Sequence, residues 1–144
     1  GSGQISLEGD MLRDLLLQNS IGAPTVLMKK KLFEQIGGFD ETMPSLEDWD
    51  FALKAAKLGQ IGFVPEALMD AANSAGGVSS DEDAYFQSRC HMIRKHLPDY
   101  LASGLLDIAV RDILGRAEKR NLLKQVTQML MQCLENGQEV AHER

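Results

Sequence analysis

With 144 residues, 44% hydrophobic and 25% charged, the chain has the size and composition of an ordinary globular domain with a sizeable core. A formal net charge of −6 argues against nucleic-acid binding, which calls for a basic surplus to neutralise phosphates. No apolar run approaches the ~20 residues that span a bilayer, and the N-terminus lacks the basic-then-apolar order of a signal peptide.

The opening Gly1-Ser2-Gly3 has no initiator Met and reads as vector-derived, so residues 1–9 are expected to be tag or linker. Met11, Leu12, Leu15 and Leu16 recur at helical spacing over 10–18, with Asp10 as a possible N-cap. Gly22 and Pro24 break the pattern. Thr25-Val26-Leu27-Met28 then reads as one short buried strand. Residues 30–36 read as a short helix closed by Gly37-Gly38, because glycine takes the left-handed C′ conformation cheaply.

Ser45 to Leu58 predicts a helix with Leu46, Trp49, Leu53 and Ala56 on one face. Ser45 and Asp48 would form its capping-box variant. Residues 61–69 read as a strand edged by Pro65, and 71–80 as a small-residue loop. Beyond Asp81 the pattern turns helical, over 82–97, 99–114 and 117–136, with Pro98 dividing the first two and Asn136-Gly137 ending the third. The residues thus divide into an α/β segment at 10–80, a helical extension at 81–137 and a polar, frayed tail at 138–144. Two short strands do not make a stable sheet alone, so the first segment is expected to draw further strands from elsewhere.

The ordered set from Asn19 to Leu68 carries a resemblance. It runs Asn19-x-Ile21-Gly22, Pro24 to Lys30, then Phe33-Glu34-x-Ile36-Gly37-Gly38-Phe39-Asp40-Glu41. Glu47-Asp48-Trp49-Asp50-Phe51-x-Leu53-Lys54 follows, and Phe63-Val64-Pro65-Glu66-x-Leu68 completes it. It resembles the C-terminal portion of a family 2 glycosyltransferase. The resemblance implies an α/β, Rossmann-like GT-A fold, of which the chain would be the acceptor-side half followed by a helical segment. It also implies an enzyme that moves a sugar, with inversion, from a nucleotide-sugar donor to an acceptor hydroxyl on a sugar or lipid-linked molecule.

The resemblance places the general base on Asp48, with Glu47 and Trp49 on the acceptor side. Read from the residues alone, Asp48 is equally a first-turn carboxylate favoured by the helix dipole, and Trp49, by its spacing with Leu46 and Leu53, a core residue. A divalent metal, Mg or Mn, is implied for the whole enzyme and none for these residues. The family's metal motif follows a strand, whereas Asp48-Trp49-Asp50 and Asp81-Glu82-Asp83 open helices. The Arg-x-His set the family often carries near this point is absent from Met69 to Ser74.

Lacking the N-terminal nucleotide-binding half, the chain is expected to be inactive alone and prone to homo-oligomerise through exposed apolar surface. A cytoplasmic location follows from the resemblance, with contact at the inner membrane face as its variant. The other reading is a non-catalytic helical interaction module. Lys29-Lys30-Lys31 reads as a solvated run, and His91, His96 and His142 show no ligand spacing. Cys90 and Cys133 lie far apart in sequence and read as reduced structural thiols.

Overall fold

A computed structural model describes residues 9–70 and 81–141, with side chains as far as Glu135. Seven α-helices occur among them: α1 (Leu12–Leu17), α2 (Lys30–Ile36), α3 (Glu47–Ala56), α4 (Glu82–Lys95), α5 (Leu97–Ser103), α6 (Leu106–Lys119) and α7 (Leu123–Ala141). The described residues contain no sheet, and their only β pairing is an isolated antiparallel bridge between Gly9 and Ile61. The expected α/β, Rossmann-like half is therefore corrected: these residues form a helical fold.

The reason lies in the two segments read as strands. Pro24 and a Thr25 hydroxyl that donates to the Gly22 carbonyl at 2.7 Å draw Ala23–Thr25 into a single 3₁₀ turn. Val26 has extended dihedrals but no ladder beside it, and Leu27 is 99% exposed. Beyond Ile61, Phe63, Val64, Leu68 and Met69 are all exposed. β-propensity describes a fit to a pleated, half-buried surface, and without a neighbouring strand it produces no strand.

The contacts divide the chain into two compact units: Gly1–Thr42 with Glu47–Ser80, and Met43–Leu46 with Asp81–Arg144. In the first, α3 packs on α1 and α2. Trp49, Asp50, Phe51, Ala52 and Leu53 are all buried, so α3 is enclosed on every side rather than along one stripe. Leu15 and Leu16 of α1 are buried as well.

In the second unit, α4 is the central element and packs on α5, α6 and α7. It buries Phe86, Cys90 and Ile93 on one seam, matched by Ala109, Ile113 and Ala117 of α6 and by Val126 and Leu130 of α7. The Asp81 carboxylate caps α4 by accepting from the Ala84 N–H at 3.0 Å. Where one helix was expected over 99–114, Gly104 at φ 69° ends α5 and a new helix begins. The next break falls at Asn121, φ 60°, so Gly115 lies inside α6. The last helix continues past the expected stop at 136–137 to Ala141.

One ion-pair cluster ties α4 to α6. Arg116 donates to both oxygens of Glu82, at 3.1 and 3.0 Å, Arg120 joins at 3.2 Å, and the Arg116 guanidinium lies 3.8 Å over the Tyr85 ring. The hydrogen bonds from Arg116 hold the Glu82 carboxyl below its ordinary value, against the opposing effect of burial; the charges of Arg116 and Arg120 add to the lowering. A carboxyl depressed in the folded state stabilises fully above its unfolded pKa and loses that contribution as pH falls through the folded value. Glu82→Gln is expected to cost about 1 kcal/mol at neutral pH and to flatten the acid side of the stability–pH curve. Urea denaturation at pH 7 and pH 3 checks this: the gap between wild type and variant should shrink at the lower pH.

Candidate functional site

The two halves of the most distinctive motif fold onto each other. The peptide N–H groups of Gly37 and Gly38 donate to Glu34 and Phe33 carbonyls, and both glycines are left-handed, at φ 83° and 69°. This turns the chain so that Phe39 packs on Phe51 and Phe33, with ring centroids 4.8 and 5.9 Å away. Lys54 closes the arrangement. Its ammonium donates to the Gly38 carbonyl at 2.9 Å and pairs with the buried Asp50 carboxylate at 3.3 Å. Asp40 turns back on its own loop and accepts from the Thr42 N–H and hydroxyl at 3.1 and 2.6 Å. Much of the Gly-Gly-Phe-Asp and Asp-x-x-x-Lys pattern is thus accounted for by packing.

A Cβ on Gly38 would stand 3.2 Å from Phe33 Cζ in a backbone region that disfavours side chains. Gly38→Ala is therefore expected to destabilise the chain by about 1–2 kcal/mol. Urea denaturation followed by Trp49 fluorescence measures it; an unchanged midpoint would show that Phe33 and the turn relax freely.

Asp48 stands in the first turn of α3 and is half-buried. One carboxylate oxygen accepts from Asn19 Nδ2 at 3.4 Å, and the other from the Ala23 N–H at 3.3 Å. Asn19 in turn accepts from the Ile21 N–H at 3.1 Å, so the Asn19–Ala23 loop is folded against this one carboxylate. Both bonds are longer than the roughly 2.7–2.9 Å of strong charge-assisted contacts. An ionised carboxylate offers about four lone-pair directions, so acceptor capacity remains. Glu47 is half-buried beside it at the same helix terminus.

The expected Ser45 cap is corrected. Ser45 is buried and both its N–H and its hydroxyl engage the Ser88 hydroxyl, at 3.1 and 3.2 Å. Leu46, at φ 59°, separates it from the helix. A leucine in that region is strained by about 1–2 kcal/mol, and the strain immediately precedes Glu47 and Asp48.

Trp49 is 5% exposed, and its indole N–H donates to the Leu15 carbonyl. It fastens α1 to α3 beneath the carboxylates and presents no open ring face to a sugar. Sequence reasoning included Asn19 and Lys54 in the motif without giving them roles. Their signal was their place in the ordered set, and only the folded geometry reveals what each holds.

The Asp-x-Asp strings bring no pair of carboxylates to one point. Asp48 faces Asn19 and Ala23 while Asp50 faces Lys54; Asp81 caps α4 while Asp83 accepts from Gln125 at 3.2 Å. Among the described residues no group of three or more His, Cys, Asp or Glu is arranged to hold a metal ion. His96 is buried 3.8 Å from Asp99, and His91 lies 3.4 Å from Arg94. Lys30 pairs with Glu34 at 3.7 Å on an exposed face. The whole of the expected 71–80 loop, and with it the Met69–Ser74 stretch beyond Asp70, lies outside the described residues.

Comparison with known proteins narrows the class. No family model matches the chain, and no solved structure matches it. A 41-residue segment, 28% of the chain, is 49% identical to a Haemophilus influenzae protein named as an uncharacterized glycosyltransferase. The matched segment spans 14% of that protein's length. At the coarse level, then, part of this chain is similar to part of a glycosyltransferase. Among the described residues no helix is long and apolar enough to cross a membrane.

Proposed function

We propose that these residues belong to a family 2 glycosyltransferase that transfers a sugar from a nucleotide-sugar to an acceptor hydroxyl with inversion. The supporting observation is the Asp48 carboxylate, held at a helix N-terminus by Asn19 and the Ala23 N–H with acceptor capacity to spare. Asp48 takes the acceptor's hydroxyl proton as that oxygen bonds to the anomeric carbon and the nucleoside diphosphate departs. Glu47 contacts the acceptor beside it. Trp49 supports both from below by tying α3 to α1 and is not a sugar platform. A divalent metal, Mg or Mn, would be held by the longer protein and would steady the charge of the departing diphosphate. The donor and acceptor are engaged in the longer protein, at a cytoplasmic site or one at the inner membrane face, and residues 1–144 alone are inactive.

The test is nucleoside diphosphate release by the full-length protein across a panel of nucleotide-sugars, with product anomers read by NMR. Donor-dependent release with an inverted anomer is expected, and none from residues 1–144. Retained configuration, or turnover by the 144 residues alone, would overturn this reading. A second reading, in which Asp48 only braces the Asn19–Ala23 loop, is favoured by the same two hydrogen bonds and is separated by the Asp48 variant discussed below.

A further inference from the structure

The two cysteines, distant in sequence, meet in the fold. α4 and α7 pack together in the second unit. Gln125 donates to Asp83 near the start of both helices. Cys90 and Cys133 lie about 10.5 and 12 Å further along their respective helices, at 1.5 Å per residue. The Cys90 thiol is near enough to Cys133 to feel it electrostatically. Because α4 and α7 pack on each other and begin at the same end, they run side by side in the same direction. Their buried seams, Phe86-Cys90-Ile93 and Val126-Leu130, follow the helical spacing that places Cys133 next in line. Packed helix axes stand roughly 8–10 Å apart with Cα atoms on a radius of about 2.3 Å. Facing Cα atoms therefore approach to about 3.5–5.5 Å, which overlaps the roughly 4.4–6.8 Å a disulfide spans.

We propose that Cys90 and Cys133 are a thiol pair that closes reversibly into a disulfide staple between α4 and α7. Burial divides the roles: Cys90 is 1% exposed, whereas Cys133 is only half-buried and is the sulfur an oxidant reaches first. The oxidant is a small-molecule disulfide such as oxidised glutathione. The Cys133 thiolate attacks one of its sulfurs, breaks that S–S bond and releases one glutathione thiolate. Cys90 then gives up its proton and attacks the Cys133 sulfur of the mixed disulfide, expelling the second glutathione. Two protein thiols are oxidised and one glutathione disulfide is reduced to two thiols. Burial, reinforced by the neighbouring Cys133, pushes the Cys90 thiol up to about 12. The second step is therefore slow, and the staple answers sustained oxidation rather than a brief pulse.

The experiment equilibrates the 144-residue chain in glutathione buffers of rising oxidised fraction, quenches with an alkylating agent, and reads intact mass and melting of the helical signal. The expected product is a monomer with both thiols protected, no glutathione adduct, and a melting temperature higher by about 10 °C, since the bond closes a loop of roughly forty residues. Dithiothreitol should reverse it. Cys133→Ser should abolish the protection, and Cys90→Ala should leave glutathione on Cys133. Any of four outcomes in the wild-type chain would overturn the proposal: a lasting Cys133 adduct with Cys90 still alkylatable, a disulfide-linked dimer, two free thiols in the most oxidising buffer, or a closed bond with no rise in melting temperature.

Discussion

Trp49→Ala is expected to destabilise the N-terminal unit by about 3–5 kcal/mol, the cost typical of emptying a buried aromatic site. Trp49 is 5% exposed, so truncation leaves a cavity between α1 and α3 rather than a surface notch. It also removes the donor to the Leu15 carbonyl, which would remain buried without its indole partner. α1 has only six residues and depends on packing, since helices that short do not persist alone. Against a typical total stability of roughly 5–15 kcal/mol, the loss brings this unit close to unfolding at ambient temperature. Trp49→Phe keeps most of the ring volume and should cost about 1–2 kcal/mol, mainly the lost hydrogen bond. Because Trp49 is the sole tryptophan, the transition must be followed by circular dichroism in urea. A Trp49→Ala midpoint equal to wild type would mean that Trp49 does not hold α1 on α3.

What could be read from the residues depended on how local the deciding interactions were. The helix at 30–36 and its stop at Gly37 were legible because periodicity and a left-handed glycine act within a few residues. The close relation of the Gly37–Glu41 loop to the Glu47–Lys54 helix was legible only as co-occurrence; its physical content is the Lys54 link to Gly38 and Asp50 and the Phe39–Phe51 contact. The strand at 25–28 was misread because pairing is a property of two segments, and the residues that favour strands say nothing about a missing partner.

Ser45 was misread for the same kind of reason. A serine three residues before an acidic side chain fits a cap, but the Ser88 hydroxyl, forty-three residues on, claims both of its donors. The nearness of Cys90 to Cys133 carries no sequence signal at all, since it depends on the register of α4 against α7. For Asp48, its place at the start of a helix was readable, while its two bonding partners in the Asn19–Ala23 loop were not.

Asp48→Asn in the full-length protein is the second large effect. Asparagine keeps the shape of the side chain and one acceptor oxygen, but it replaces the other oxygen with a donor facing Asn19 Nδ2 or the Ala23 N–H. One of two long hydrogen bonds is therefore lost, a cost of about 1 kcal/mol that shifts melting by a few degrees at most. The chemical effect is far larger. An amide does not accept the acceptor's proton at neutral pH, and loss of a positioned base lowers turnover by about 10²–10⁴-fold. If Asp48 is only a brace for the Asn19–Ala23 loop, the same variant melts slightly earlier and works at its normal rate. The decisive measurement is turnover of folded full-length Asp48→Asn with saturating donor and acceptor, with its melting curve taken on the same preparation. A fall of at least about 10²-fold with melting nearly unchanged is predicted; wild-type turnover by the folded variant would contradict the assignment of Asp48 as the base.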